Sequence, residues 1–343
     1  MGLMSGWLKA QRPALITLRV LITLAVILAN TWAVAALAID LPITWLRIPL
    51  ALLLVGVLVT IIWRWWRSWL APVLGAGCFA LVLGWWLTLA PSADRDWQPD
   101  VAVMPSADYD KQDEQKVTVH GIRSCTYRSE FDYDVHYHDQ TYDLGKLRTV
   151  DLFHIYWGSP SIAHTIFSFG FSDGSYLTFS IEARKEKGEE YSALRGFFRQ
   201  FEIIYLVADE RDLIGLRTNF RKGEDVYLYR LKMGPEEARS LLYEYLRRIN
   251  ELHAAPEWYN AVTGNCTTAI RMQRSAVERA PWDWRILLNG HLDELLYERK
   301  SIDTSMPLAE LKQRSLINPK ARAVGPSDDF SQRIRQGLTT PSP

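Results

Sequence analysis

Residues 162–183 read Ile162-Ala163-His164-Thr165-Ile166-Phe167-Ser168-Phe169-Gly170-Phe171, then Ser172-Asp173-Gly174, then Ser175-Tyr176-Leu177-Thr178-Phe179-Ser180-Ile181-Glu182-Ala183. Two alternating runs around a turn-forming triplet predict a β-hairpin. Phe167, Phe169 and Phe171 share one face of the first strand, and Ile162, His164, Ile166 and Ser168 the other. On the second strand Leu177, Phe179 and Ile181 oppose Tyr176, Thr178, Ser180 and Glu182. Putting both oily sets on one side requires odd residues to pair with odd ones, and a slip of one residue would turn every side chain over. That register sets Phe169 opposite Leu177 and His164 opposite Glu182, with Ser180 diagonal to the imidazole. A carboxylate beside an imidazole orients and charges a general base. An ordinary cross-strand polar pair, worth about 0.2–1 kcal/mol, accounts for the same spacing equally well.

Around the hairpin, Lys116–Tyr127, Leu147–Trp157, Gly196–Val207, Leu213–Arg217 and Asp225–Leu231 have strand character. Pro235–Leu252 predicts a helix: Pro235 suits the first turn, and Ala238, Leu241, Leu242, Tyr245, Leu246, Ile249 and Leu252 form an apolar stripe. Ala280–Tyr297 contains another helix, with His291 on it. The expectation is an α+β domain built on an antiparallel sheet. His136 and His138 form an H-x-H pair, but no further His/Cys cluster accompanies them, so a polar surface loop is the better reading than a metal site. His154 reads as a packed or surface residue.

The first ninety residues are a different chain. Val20–Ile39, Ile48–Trp63 and Ala71–Ala90 are apolar runs long enough, or nearly so, to cross a bilayer core of about 30 Å. Tryptophans 63, 65, 66, 69, 85 and 86 cluster at or near their ends, as in an interfacial aromatic belt. Lys9, Arg12 and Arg19 precede the first run, and Arg64 and Arg67 lie between the second and third. The positive-inside rule then puts the N-terminus in the cytoplasm and exports the chain beyond the third span. The organisation expected is a membrane anchor of three transmembrane helices over 1–91, a linker over 92–115, a soluble domain over 116–318 and a loose C-terminal tail over 319–343. With 39 basic and 39 acidic residues the chain has no net charge, which gives no electrostatic case for nucleic acid.

Cysteine is scarce: Cys78, Cys125 and Cys266. Cys78 falls in the third apolar run and reads as a small buried residue. Cys125 lies in a strand-like run. Cys266, in Gly264-Asn265-Cys266-Thr267-Thr268, stands where a helix can begin, with Asn265 as its cap. A thiol in a first turn feels the positive end of the helix dipole, which favours thiolate. His164 would take its proton, and Asn265 or a nearby amide would help hold an oxyanion. A structural disulfide between Cys125 and Cys266 is the other reading of that thiol.

Several ordered blocks resemble the bacterial Lnb N-terminal periplasmic domain family. They are Tyr156-Trp157-Gly158, Ala163-His164-Thr165, Phe167-Ser168-Phe169-Gly170-Phe171, Ser180-Ile181-Glu182-Ala183-Arg184, Gly196-Phe197-Phe198-Arg199, Tyr227-Leu228-Tyr229, Tyr259-Asn260 and Asn265-Cys266-Thr267-Thr268, within a run from Val117 to Asp303. The resemblance implies a lipoprotein N-acyltransferase-like activity, in which a thiol takes an acyl chain from a membrane phospholipid and passes it to a lipoprotein's N-terminal amine. The order of histidine, then Asn-Cys at a helix start, is also similar to the circularly permuted papain-like fold. Carried over, Cys266 is the nucleophile and His164 the base; Glu182 as orienting third member and Ser180 as support come from the hairpin register. No metal or organic cofactor is implied, and oligomeric state is left open. A periplasmic thiol hydrolase cleaving cell-wall peptides or amides, and a non-enzymatic envelope module, remain the alternative functions.

Overall fold

A computed structural model describes residues 2–64, 70–261 and 281–338. Its contacts divide the chain into two units, residues 1–90 with 198–200, and residues 91–197 with 201–343. The first unit holds three helices, α1 (Gly2–Asp40), α2 (Thr44–Arg64) and α3 (Leu70–Leu87). Ile16–Asp40, Thr44–Arg64 and Leu70–Leu87 are long and apolar enough to cross a membrane. Lipid tails are as apolar as leucine, so helices in a bilayer are held by close approach and internal polar contacts. Asn30 Nδ2 donates to the carbonyl of Gly75 across α1 and α3 at 3.1 Å. A Cβ on Gly75 would come within 2.6 Å of Val26 Cγ1, so a larger residue would force the Val26 side chain or the helices to shift. Trp32 packs edge-on against Phe79 and Trp86.

The second unit is a mixed α+β domain around an eight-stranded sheet. Its strands are β1 (Ser106–Tyr109), β2 (Lys116–Arg123), β5 (Tyr137–Asp143), β6 (Leu147–Trp157), β7 (Ala163–Phe171), β8 (Tyr176–Arg184), β9 (Glu202–Ala208) and β10 (Glu224–Arg230). Two short strands, β3 (Thr126–Tyr127) and β4 (Tyr133–Asp134), form a separate ribbon. The order is β1-β2-β9-β8-β7-β6-β10, with β5 also on β2. Every pairing is antiparallel except β2 with β9, which meet in parallel at Arg123 and Ala208. In the β7–β8 hairpin Phe169 pairs with Leu177 and Phe167 with Phe179, the odd-with-odd register expected from the oily faces.

Both faces of the sheet are covered. Phe167, Phe169, Leu177, Phe179, Ile181, Tyr205 and Val207 pack against the apolar stripe of α5 (Pro235–Ala254), whose seven residues from Ala238 to Leu252 are all buried. Glu236 and Glu237 in the first turn of α5 and His253 in its last complement the helix dipole. On the other face Phe153, Ile155, Ile166, Leu206, Val226 and Leu228 meet Leu213, Ile214, Ile317, Ala321, Phe330 and Ile334. β7 is therefore buried along its whole length, and its polar residues lie within the protein.

Three expectations are corrected here. Leu213–Arg217 is helical rather than a strand: α4 (Glu210–Gly215) runs into a π-turn at Leu216–Phe220. A four-residue apolar run has too short a period to separate the two forms, and packing of Leu213 and Ile214 on the sheet decides it. Residues 92–115 are no loose linker. Trp97, Val101 and Ala107 are buried, β1 pairs with β2, and Asn250 brackets Ala107 through both backbone groups. The polar, proline-rich composition hides three anchors at irregular spacing. Nor is 319–343 a loose tail as far as residue 338. Ala321, Phe330 and Ile334 are buried, and Arg335 makes ion pairs with Asp151 and Glu210. Helices of one or two turns bury about one residue per turn, too few to show a period in sequence.

Candidate functional site

The hairpin register carries His164 of β7 and both Ser180 and Glu182 of β8 to the second face, near one end of the sheet. His164 Nε2 lies 2.7 Å from Ser180 Oγ and 3.1 Å from Glu182 Oε1. The Ser180 hydroxyl donates to Glu182 Oε1 at 2.6 Å. A hydroxyl has one proton to give, so Ser180 accepts from the imidazole, which must carry its hydrogen on Nε2. In the neutral ring that leaves Nδ1 as the basic nitrogen. The network assigns this tautomer.

A fourth residue completes the set. Arg217, on the π-turn, donates from Nη2 to Glu182 Oε1 at 3.1 Å and from Nη1 to Glu224 Oε2 at 3.3 Å. π-turns are rare and frequently sit at functional sites, because the extra residue re-aims a side chain. The Arg217 side chain is 7% exposed and that of Glu182 27%, so the carboxylate is the solvent-facing end. Burial would raise the Glu182 carboxyl. The charge and hydrogen bond of His164, then Arg217 and Ser180, outweigh it and hold the group well below the usual carboxylate range. Glu182 is thus an anion at neutral pH, suited to stabilising a protonated imidazole.

Neighbouring backbone fixes the ring. Asn289 Oδ1 accepts the amide of Ala163 at 2.9 Å, and Gly290 donates to the carbonyl of Ser161 at 3.0 Å. A Cβ on Gly290 would collide with the Pro160 carbonyl and the Ser161 backbone, so this approach requires glycine. Trp157 lies edge-on to His164, with ring centroids 6.5 Å apart.

Cys266 and Asn265, the expected nucleophile and oxyanion support, lie outside the described residues. Sequence reasoning missed Arg217, which sat in a segment read as a strand, and Asn289, for which no local signal exists. The other histidines have separate settings. His154 is fully buried, its Nε2 within 2.9 Å of the Asn289 carbonyl oxygen, and burial pushes its pKa down to about 4. His138 lies 3.8 Å from Asp209. Among the described residues no group of three or more His, Cys, Asp or Glu is placed to hold a metal. Cys125 is a free, buried thiol, and burial pushes its pKa up to about 12.

An imidazole backed by a hydroxyl and a carboxylate, in an α+β domain that follows three membrane-competent helices, defines a membrane protein with a folded domain and a candidate proton-transfer site. The family model of the Lnb N-terminal periplasmic domain matches residues 133–290, and that stretch is a member of this family. It makes the chain a membrane-associated module of periplasmic type. Neither the curated proteins nor the solved structures gave a match.

Proposed function

We propose that the chain is a cysteine-dependent acyltransferase of the bacterial inner membrane, with its N-terminus cytoplasmic and its domain periplasmic. The observation that supports it most is the buried His164–Ser180–Glu182 set, braced by Arg217, in a domain of this family. Cys266 Sγ attacks the carbonyl carbon of a phospholipid ester while Nδ1 of His164 takes the thiol proton. The same nitrogen returns the proton to the leaving alkoxide, giving a thioester and a lysophospholipid. A lipoprotein's N-terminal amine, or another amine, then attacks the thioester, forming an amide and restoring the thiol. Glu182 stabilises the imidazolium through both steps, and Ser180 fixes the tautomer. A papain-like arrangement of nucleophile and base belongs to this proposal.

The test is Cys266→Ala and His164→Ala in cells, with mass spectrometry of lipoprotein N-termini and of phospholipids. The expected result is loss of the N-acyl group and of the matching lysophospholipid, by about 10²–10⁴-fold for His164→Ala. A fatty acyl adduct should be trapped on Cys266 of the wild type. Unchanged spectra in both variants would overturn acyl transfer, and release of cell-wall peptides by the wild type alone would replace it with hydrolysis.

A further inference from the structure

Exposed apolar side chains are unevenly spread over the α+β domain. Trp157 closes β6, Ile162 precedes β7, and Leu194 and Phe197 lie on the chain entering β9. Trp284 and Leu288 lie on the segment that Gly290 docks against the 157–162 loop. These six are between 42% and 65% exposed. All belong to the end of the sheet that carries His164, because Arg184 at the end of β8 pairs with Glu202 at the start of β9. At the opposite end, among the described residues, no exposed large apolar side chain falls within 144–148, 172–176 or 230–234. Lys146 and Asp173 pair there instead, at 3.4 Å.

The tether arrives at the apolar end. The third apolar helix closes at Leu87, and five residues later the Ser92 amide donates to Glu202 Oε1 at 3.0 Å. Arg95 Nη2 holds the same oxygen at 2.8 Å. The segment that directly follows this helix in the chain is thus fixed, through Ser92 and Arg95, to the end of the sheet that carries His164. Tryptophan and phenylalanine mixed with leucine and isoleucine, on loops rather than on a flat face, suit the boundary between lipid head groups and acyl chains.

We infer that this end of the sheet is a lipid-binding surface, whose six side chains enter the outer part of a bilayer beside His164. It goes beyond the proposed function, since it needs the membrane spans but not the thiol chemistry. The experiment uses the full chain carrying Cys266→Ala, reconstituted in phosphatidylethanolamine–phosphatidylglycerol vesicles with a trace of phospholipid bearing a diazirine on its acyl chain. After photolysis, peptides covering 157–162, 194–197 and 284–288 should be labelled at least fivefold more than those covering 172–176 and the exposed Tyr243. Trp284→Glu with Leu288→Glu should cut the labelling of 284–288 severalfold, while Trp284→Phe keeps it. Near-ultraviolet circular dichroism confirms that each variant is folded; if the double variant is not, the wild-type labelling ratio decides alone. Equal labelling of the two ends, or labelling indifferent to the charged pair, would overturn the inference and leave the patch to a protein partner. Because Cys266 is absent throughout, a failure here is separate from a failure of acyl transfer.

Discussion

The second face of the sheet carries the same polar unit twice, with opposite outcomes. Ser180 donates to Glu182, which Arg217 holds; Ser168 donates to Glu210, which Arg335 holds. Around Ser168 the unit is closed. Asp151 and Glu210 are buried, Arg335 bridges them at 2.8 and 2.7 Å, and its guanidinium lies over the Tyr176 ring at 3.9 Å. Around Ser180 one position is an imidazole, and the carboxylate reaches solvent. Serine, carboxylate and arginine by themselves make a staple. Adding an imidazole, and opening one side to water, gives the arrangement that a proton-transfer site would need.

The comparison breaks most visibly at Arg335. Replacing it with alanine leaves Glu210 without its cation and Asp151 with Arg230 alone, at a cost of about 3–5 kcal/mol. Urea unfolding of the full chain in detergent should show this loss, with labelling of Cys266 by iodoacetamide unchanged in the folded protein. A loss under about 1 kcal/mol would mean that the closed unit is hydrated.

A third buried carboxylate, Glu202, is less well served. Arg95 and the Ser92 amide share one of its oxygens, the other has no hydrogen-bond partner among the described residues, and burial raises its pKa from 4.5 to about 7. A raised carboxyl pKa means that the folded state binds more protons. The contribution is therefore fully present below pH 4.5 and lost as pH rises to about 7, by up to about 3 kcal/mol. Glu202→Gln should flatten that part of the stability–pH curve; an unchanged curve would remove Glu202 as its source.

Smaller effects separate position from chemistry. Gly290→Ala should cost about 1–3 kcal/mol by forcing the 157–162 loop away, and should slow Cys266 alkylation at pH 7. Equal stability and alkylation in the variant would show that the loop does not set the imidazole. Glu182→Gln keeps the shape and removes the anion behind the imidazole. It should move the alkylation profile of Cys266 upward by about one pH unit, roughly tenfold in rate at neutral pH. If the profile stays put, Glu182 belongs with Glu210 as a staple.

Legibility followed the range of the interactions. The hairpin register could be read because alternation over nine residues leaves only one way to bury the phenylalanines. The three membrane-competent helices and α5 were equally plain, each being long and periodic or continuously apolar. Leu213–Arg217 was not, since a short apolar run fits either form. The anchoring of 92–115 and of 319–338 rests on isolated residues, Trp97, Val101, Phe330 and Arg335, whose partners are far away in sequence.

The sequence by itself therefore determined the spans, the hairpin, and the meeting of His164 with Ser180 and Glu182, because each follows from local periodicity and the need to bury apolar surface. Only the tertiary structure decided that Arg217 reaches Glu182 from a π-turn and that Asn289 holds Ala163. It also decided that Arg335 seals the second unit. Those contacts join residues separated by 35, 126 and 125 positions, and a long-range polar contact leaves no periodic trace in the chain.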